Sequence, residues 1–186
     1  MSSVNPKAEV RVQWVNSWFD PAKEKEAALS LSKQGADVLT QHTDSTAVVQ
    51  TAEEKGIYAI AYHSDMKKYG PKAQLAAVTH HWGSYFTKEA QDVLDGKWKS
   101  DSVYGGIKEG MVKLEFINTS VPKDVRQLLT EKEADIVNGS LVPFVGPLKD
   151  NTGKMRLEKG PMSEFNLKRM YYLVEGVHGS VPAQQN

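Results

Sequence analysis

Imidazole, carboxylate and indole groups recur in this chain where apolar runs give way to loops. The stretches are Asn16-Ser17-Trp18-Phe19-Asp20, His42-Thr43-Asp44, His63-Ser64-Asp65 and His80-His81-Trp82-Gly83. In an open parallel α/β sheet the carboxyl ends of the strands share one edge, and ligands bind in the crevice outside it. Such groups can therefore converge although they are far apart in sequence. Flat indole faces with imidazole and carboxylate between them suit a planar, nitrogen-rich small molecule.

Each group also has a plainer role. Phe19 stands just before a helix cap, where it can pack on the first turn as a hydrophobic staple, leaving Trp18 to face the crevice. Asn16 offers a donor and acceptors to a base edge, or is an ordinary turn residue. Asp65 follows an apolar strand, where doubly wound folds place an acid on a sugar or base donor; alternatively it caps Met66–Tyr69. Asp44 reads first as a helix cap. Trp82 sits at a polar strand exit, where an indole is half-buried with one face available. Stacking a nucleobase on such a face contributes about 1–3 kcal/mol. Neutral histidines also bind metals, but His42, His63, His80 and His81 show no His-x-x-x-His spacing and no histidine–carboxylate motif of known form.

The elements that must position these groups alternate from Glu9 to Phe116. Val10, Val12 and Trp14 alternate with polar residues as a first strand, and Asp20-Pro21 opens a helix with a cap and an N1 proline. Asp37–Gln41 is a short strand. Asp44 or Ser45 caps a helix carrying Ala47, Val48 and Ala52, ended by Gly56. Ile57–Tyr62 is a continuous apolar run, as in a strand buried on both faces. Gln74–Thr79 follows, then a helix capped by Ser84, and short strands near 102–105 and 111–116. Strands alternating with helices predict βαβ units and a three-layer, doubly wound, mainly parallel sheet. After Ser120 the rhythm breaks: a helix with Val125, Leu128, Leu129 and Ile136 in register, a hairpin around Asp150-Asn151-Thr152-Gly153, and a short helix capped by Ser163. Two parts are expected, an α/β ligand-binding lobe over 8–118 and a different C-terminal segment over 119–186.

Composition narrows the classes. With 23 basic and 23 acidic residues there is no net charge to recommend nucleic acid. There is no cysteine, which excludes thiol nucleophiles and cysteine-based zinc sites. No apolar leader and no membrane-length apolar segment is visible. No Gly-x-Ser-x-Gly, Gly-x-x-x-x-Gly-Lys-Ser/Thr or Gly-x-Gly-x-x-Gly occurs, and Gly105–Gly110 precedes a strand where a phosphate loop would precede a helix.

Trp18-Phe19-Asp20-Pro21-Ala22-Lys23, Gln34-Gly35-Ala36-Asp37-Val38 and Tyr62-His63-Ser64-Asp65 stand in an order that resembles the basic membrane protein family. Trp98-Lys99-Ser100, Gly105–Gly110 and Glu175-Gly176-Val177 extend the likeness, which runs from about Val10 to Pro182. These are substrate-binding proteins of ABC importers, including purine nucleoside receptors. The resemblance implies one lobe of a type I periplasmic-binding-protein fold, the second of two, with a C-terminal crossover that in the family completes the other lobe. It further implies a permease partner and a periplasmic or cell-surface location, the signal lying outside this chain. Asp65 falls where nucleoside receptors hold the ribose. Their stacking aromatic falls at Thr40 and their sugar-side lysine near His81-Trp82, so the departures point to a free purine base such as adenine.

The expected function is therefore solute binding, with Trp18 and Trp82 stacking and Asn16, His42 and Asp65 making polar contacts. No catalysis, cofactor, metal or nucleic acid is expected, and a homodimer through the C-terminal segment is. The rivals are a metal-dependent hydrolase using His42, His63, Asp65 and His81, and a stand-alone flavodoxin-like interaction module.

Overall fold

The computed structural model describes residues 4–182. In chain order the elements are β1 (Val10–Arg11), α1 (Pro21–Lys33), β2 (Val38–Thr40), α2 (Ala47–Lys55), β3 (Tyr58–His63), β4 (Gln74–His80), α3 (Gly83–Leu94), β5 (Val112–Glu115), α4 (Lys123–Asn138), β6 (Val145–Lys149), β7 (Met155–Pro161), α5 (Glu164–Leu167) and β8 (Val177–His178). They fall into two compact units: Ser17–Leu141, and the two chain ends up to Asn16 and from Val142.

The larger unit is a mixed α/β fold with a mainly parallel sheet. Its strands run in the order β2-β3-β4-β5, the first three parallel and β5 antiparallel to β4. Asp20 caps α1 by accepting from Lys23 N, with Pro21 at the first helical position, where its missing N–H costs nothing. Gly56 ends α2 at φ +67°, a left-handed turn that glycine adopts without a Cβ clash.

The core is built of small side chains. Ala28 of α1, Val48, Val49 and Ala52 of α2, and Leu39, Ala59, Ala61 and Ala77 of the sheet form one buried cluster with Met66 and Ala73. So many alanines let α2 approach the sheet closely. Gly70 extends this: a Cβ there would lie 2.6 Å from Val49 Cγ1, so the turn after β3 can lie on α2 only as glycine. Burying Val49 completely stabilises the unit by about 1.5–3 kcal/mol. The other sheet face is open at its edge, with Val38 42% and Tyr58 50% exposed. Neither α3 nor α4 buries a residue.

The smaller unit is held by a β6–β7 antiparallel hairpin and by β1 pairing parallel to β8, Val10 opposite Val177. Its hairpin turn falls at Asp150–Gly153 as the sequence predicts. Ser163 caps α5, accepting from Asn166 N.

Three expectations need correction. The strand at Val10 does not join the parallel sheet; the place beside β4 is taken by β5, whose Val112–Glu115 pairs with His80–Ala77. No strand forms at 102–105, because Gly106 N donates to Glu109 and the chain turns there. Ser84 does not cap α3, which starts two residues earlier than that cap implies, at Gly83 with Trp82 in the cap position and no side-chain cap bond.

Candidate functional site

β3 and β4 run in parallel register, with His63 opposite Thr79, so their carboxyl ends finish together. The rings at those ends form a continuous series within the larger unit. Trp18 lies 6.0 Å from His42, centroid to centroid, and His42 stacks on Tyr62 at 4.4 Å. Tyr62 meets His80 edge-on at 5.3 Å, and His80 lies parallel to Trp82, 8° between planes at 6.4 Å. His63 fits inside the series, 3.9 Å from Tyr62 and 5.2 Å from His80. Trp18 is 69% and Trp82 41% exposed, and beyond Trp82 the series runs on to Tyr85 and Phe86, each 6.0 Å from it.

Local backbone explains two of these placements. His63 ends β3 at φ +70°, a left-handed conformation uncommon for a residue with a Cβ, which turns its ring back over Tyr62 and His80. Strain of this kind collects at functional sites. In the loop after β2, residues alternate: Gln41, Thr43 and Ser45 point inward, while His42 and Asp44 are exposed. Gln41 donates to the carbonyls of Thr43 and Ser45, and Asp44 N donates to Trp18 O at 2.9 Å, tying the loop to the Trp18 turn.

Two carboxylates, Asp44 and Glu115, lie beside the rings of this edge. His63 Nε2 lies 2.9 Å from Asp44 Oδ1, an ion-pair distance without hydrogen-bond alignment. Burial, reinforced by His63, His42 and His81, holds His80 below the ordinary histidine range, so its imidazole is neutral near pH 7. Both its ring nitrogens are buried without a partner. Burial and the Asp44 charge raise Tyr62, which stays a phenol. His81 turns the other way, its Nε2 2.7 Å from Glu115 Oε2 on β5, where Thr79 also donates at 2.6 Å. The Thr79 hydroxyl first, then His81, keeps Glu115 below the usual carboxylate range.

The structure brings together Trp18, His42 and Trp82 of the residues singled out in the sequence. Asp65 lies two residues past His63 and is exposed; its Oδ1 accepts from Lys67 N at 2.9 Å and Gln74 Nε2 at 2.8 Å, which fixes the carboxylate in its own loop. Asn16 is exposed, at φ +50°, and belongs to the smaller unit. Phe19 is no staple: it is 64% exposed, because its helix partner four residues into α1 is the polar Glu24. Neither Asp44 nor Ser45 stands at the cap of α2: Thr46 does, without a side-chain cap bond, and Ser45 Oγ accepts from Ala47 N just before it. The rival metal set is dispersed, since His63 faces Asp44, Asp65 binds its own loop and His81 faces Glu115. Among the described residues no group of three or more His, Cys, Asp or Glu side chains is arranged to hold a metal ion. Tyr62 joins the rings although the apolar run marks it as a strand residue; its place directly before His63 at a strand exit is the signal for it.

The aromatic and imidazole rings thus gather on one edge of an open α/β sheet. The chain belongs to the Bmp family, described as ABC transporter substrate-binding protein PnrA-like, whose model matches residues 1–152. It is 48% identical over 181 residues to a purine-binding protein of Brucella abortus, covering 97% of this chain and 51% of that protein. It is 32% identical over 181 residues to a proposed ABC transporter glucose-binding protein of Haloferax volcanii, covering 97% and 44%. Among solved structures it resembles a transcriptional activator of the comK gene from Bacillus halodurans, with TM-score 0.64 at 26% identity over 72% of this chain and 48% of that one. An ABC transporter solute-binding protein from Conexibacter woesei shares the fold, with TM-score 0.60 at 17% identity, covering 75% and 48%. The chain thus spans about half the length of the curated relatives it matches. The fold is that of one lobe of a periplasmic-binding protein. No helix among the described residues is long and apolar enough to cross a membrane.

Proposed function

We propose that the carboxyl edge of this sheet is one wall of a purine-base site, in a solute-binding component of an ABC importer. The observation that carries this reading is His80. A neutral imidazole has one donor and one acceptor, and here both are buried and unpartnered between Trp82 and Tyr62. An unsatisfied buried polar group costs about 1–3 kcal/mol, which a planar ligand bearing its own donor and acceptor would recover. Adenine carries both along its ring edge and offers flat faces that Trp18 and Trp82 can stack against. His42 and Asp65, both of the larger unit, would supply further polar contacts. The purine-binding relative supports a base over a sugar.

In the importer, the lobe presents its ligand to a permease at the periplasmic or cell surface. The segment 119–186 is further proposed to pair two copies, since Val125 and Leu128 of α4 are each 39% exposed. A stable monomer in light scattering at high concentration would remove that part.

Titrating this chain with adenine, guanine, adenosine and glucose, followed by tryptophan fluorescence and calorimetry, tests the ligand. Adenine should bind best and change the fluorescence of Trp18 and Trp82. Preference for adenosine or glucose, or no response to any purine, would overturn the reading.

A further inference from the structure

Glu24 of α1 is 1% exposed, among the most buried charged side chains in the larger unit, and the stacking edge does not use it. Its Oε1 accepts from Asp20 N at 3.1 Å, closing the start of the helix. Its Oε2 accepts from Thr43 Oγ1 at 2.7 Å and Ser45 Oγ at 2.6 Å. A cap alone would need only the first oxygen and would sit at the surface. The second oxygen reaches across 19 to 21 residues to both inward hydroxyls of the loop that carries His42 and Asp44 outward.

We infer that Glu24 is a positioning residue of the ligand edge, acting through Thr43 and Ser45 to hold His42 and Asp44 against the Trp18 turn; this rests on the purine reading above. One carboxylate thereby fixes three things: the start of α1, directly after Trp18 and Phe19; the inward face of residues 43 and 45; and through their alternation the outward aim of residues 42 and 44. Asp44 N bonds Trp18 O at 2.9 Å, so the two segments that Glu24 joins also meet on their outer side. The link is charge-assisted and shielded from water, the situation in which a hydrogen bond fixes geometry most firmly. Ring stacking tolerates little displacement, so the loop's position converts directly into affinity.

The test uses the full 186-residue chain with adenine as probe, in three variants. Glu24→Met keeps the length and removes every acceptor; Glu24→Gln keeps an acceptor for Asp20 N and can still bond a hydroxyl; Thr43→Val removes one bond without touching the helix. Adenine affinity should fall about ten-fold or more in Glu24→Met and about two- to ten-fold in Thr43→Val, with Glu24→Gln restoring part of the loss. Amide exchange at Asp44 should quicken in the same order while Val49 and Ala61 keep their protection. Equal affinity in all folded variants, or a uniform loss of protection that includes Val49 and Ala61, would overturn the inference and leave Glu24 a core residue. If Glu24→Met does not fold, Thr43→Val decides, because its exchange readout concerns the loop alone. If the unaltered chain does not bind adenine, the ligand reading fails, and exchange at Asp44 still decides whether Glu24 holds the loop.

Discussion

The carboxylate of Asp150 and the ring nitrogens of His80 are both buried polar groups beside a strand end, and the molecule treats them in opposite ways. Asp150, 2% exposed, has both oxygens engaged within its own hairpin: Oδ1 accepts from Thr152 Oγ1, Thr152 N and Lys154 N, and Oδ2 from Arg156 Nε at 2.7 Å. Arg156 is held in turn over the Tyr172 ring, 4.6 Å from its centroid. Thr152 first, with Arg156 and the turn amides, keeps this carboxyl far below the usual range. His80 has stacked rings around it and no partner for either nitrogen. A satisfied buried network fixes one conformation, whereas an unsatisfied one has a use only when something else completes it. The hairpin centre is complete in itself, and the sheet edge carries the unpaired nitrogens on which the purine proposal rests.

The largest effect should come from breaking the satisfied centre. Asp150→Ala strands Arg156 and three turn donors, so amide protection across β6 and β7 should collapse. The sheet edge should be untouched, with adenine affinity in the larger unit unchanged. Loss of protection in β3 and β4 as well would show that the contrast between the two regions is false.

Next in size is Trp82→Ala, which should cost about 1–3 kcal/mol of adenine binding if the indole stacks on the base. Stability should change little, since the residue is 41% exposed. Unchanged affinity with lowered stability would make Trp82 a packing residue.

His80→Leu sharpens the comparison further. It removes two unsatisfied nitrogens in exchange for an apolar side chain, so the unliganded protein should gain about 1 kcal/mol while adenine binding drops. Thermal unfolding with and without adenine reads both. A loss of stability would mean that His80 is satisfied in solution and is not waiting for a ligand.

The smallest effect is the response to pH. His80 titrates lower in the folded protein than its ordinary 6.5, so below that value the unfolded chain binds more protons. Its contribution to stability is present above 6.5 and is lost as pH falls through the lower folded value. The depressed Asp150 contributes above its ordinary 3.8, and loses that contribution only in far stronger acid. Between pH 7 and 5, amide protection, taken relative to the intrinsic exchange rate at each pH, should therefore fall at β3 and β4 and hold steady in the hairpin, and His80→Leu should flatten the response. Equal acid sensitivity in both regions would count against it.

Much of the backbone was legible because its signals are local. Asp20-Pro21, Gly56 and Ser163 mark helix ends where the structure has them, and the turn at Asp150–Gly153 joins two strands as expected. The clustering of His42, His80 and Trp82 followed from the parallel order of β2, β3 and β4, itself readable from alternating strands and helices. Family membership was equally legible, being carried by ordered short motifs.

What the amino-acid order alone determined is which segments become strand, helix or turn, and which edge collects the rings. Periodicity and caps act over a few residues and need no distant partner. Tertiary structure alone decided the rest. It sent the strand at Val10 to β8, buried Glu24 under the loop after β2 and left Phe19 exposed beside it. It turned His80 into the ring series and its neighbour His81 toward Glu115. These outcomes depend on contacts between residues far apart in the chain, where several partners satisfy the same local pattern and only packing and buried hydrogen bonds choose among them.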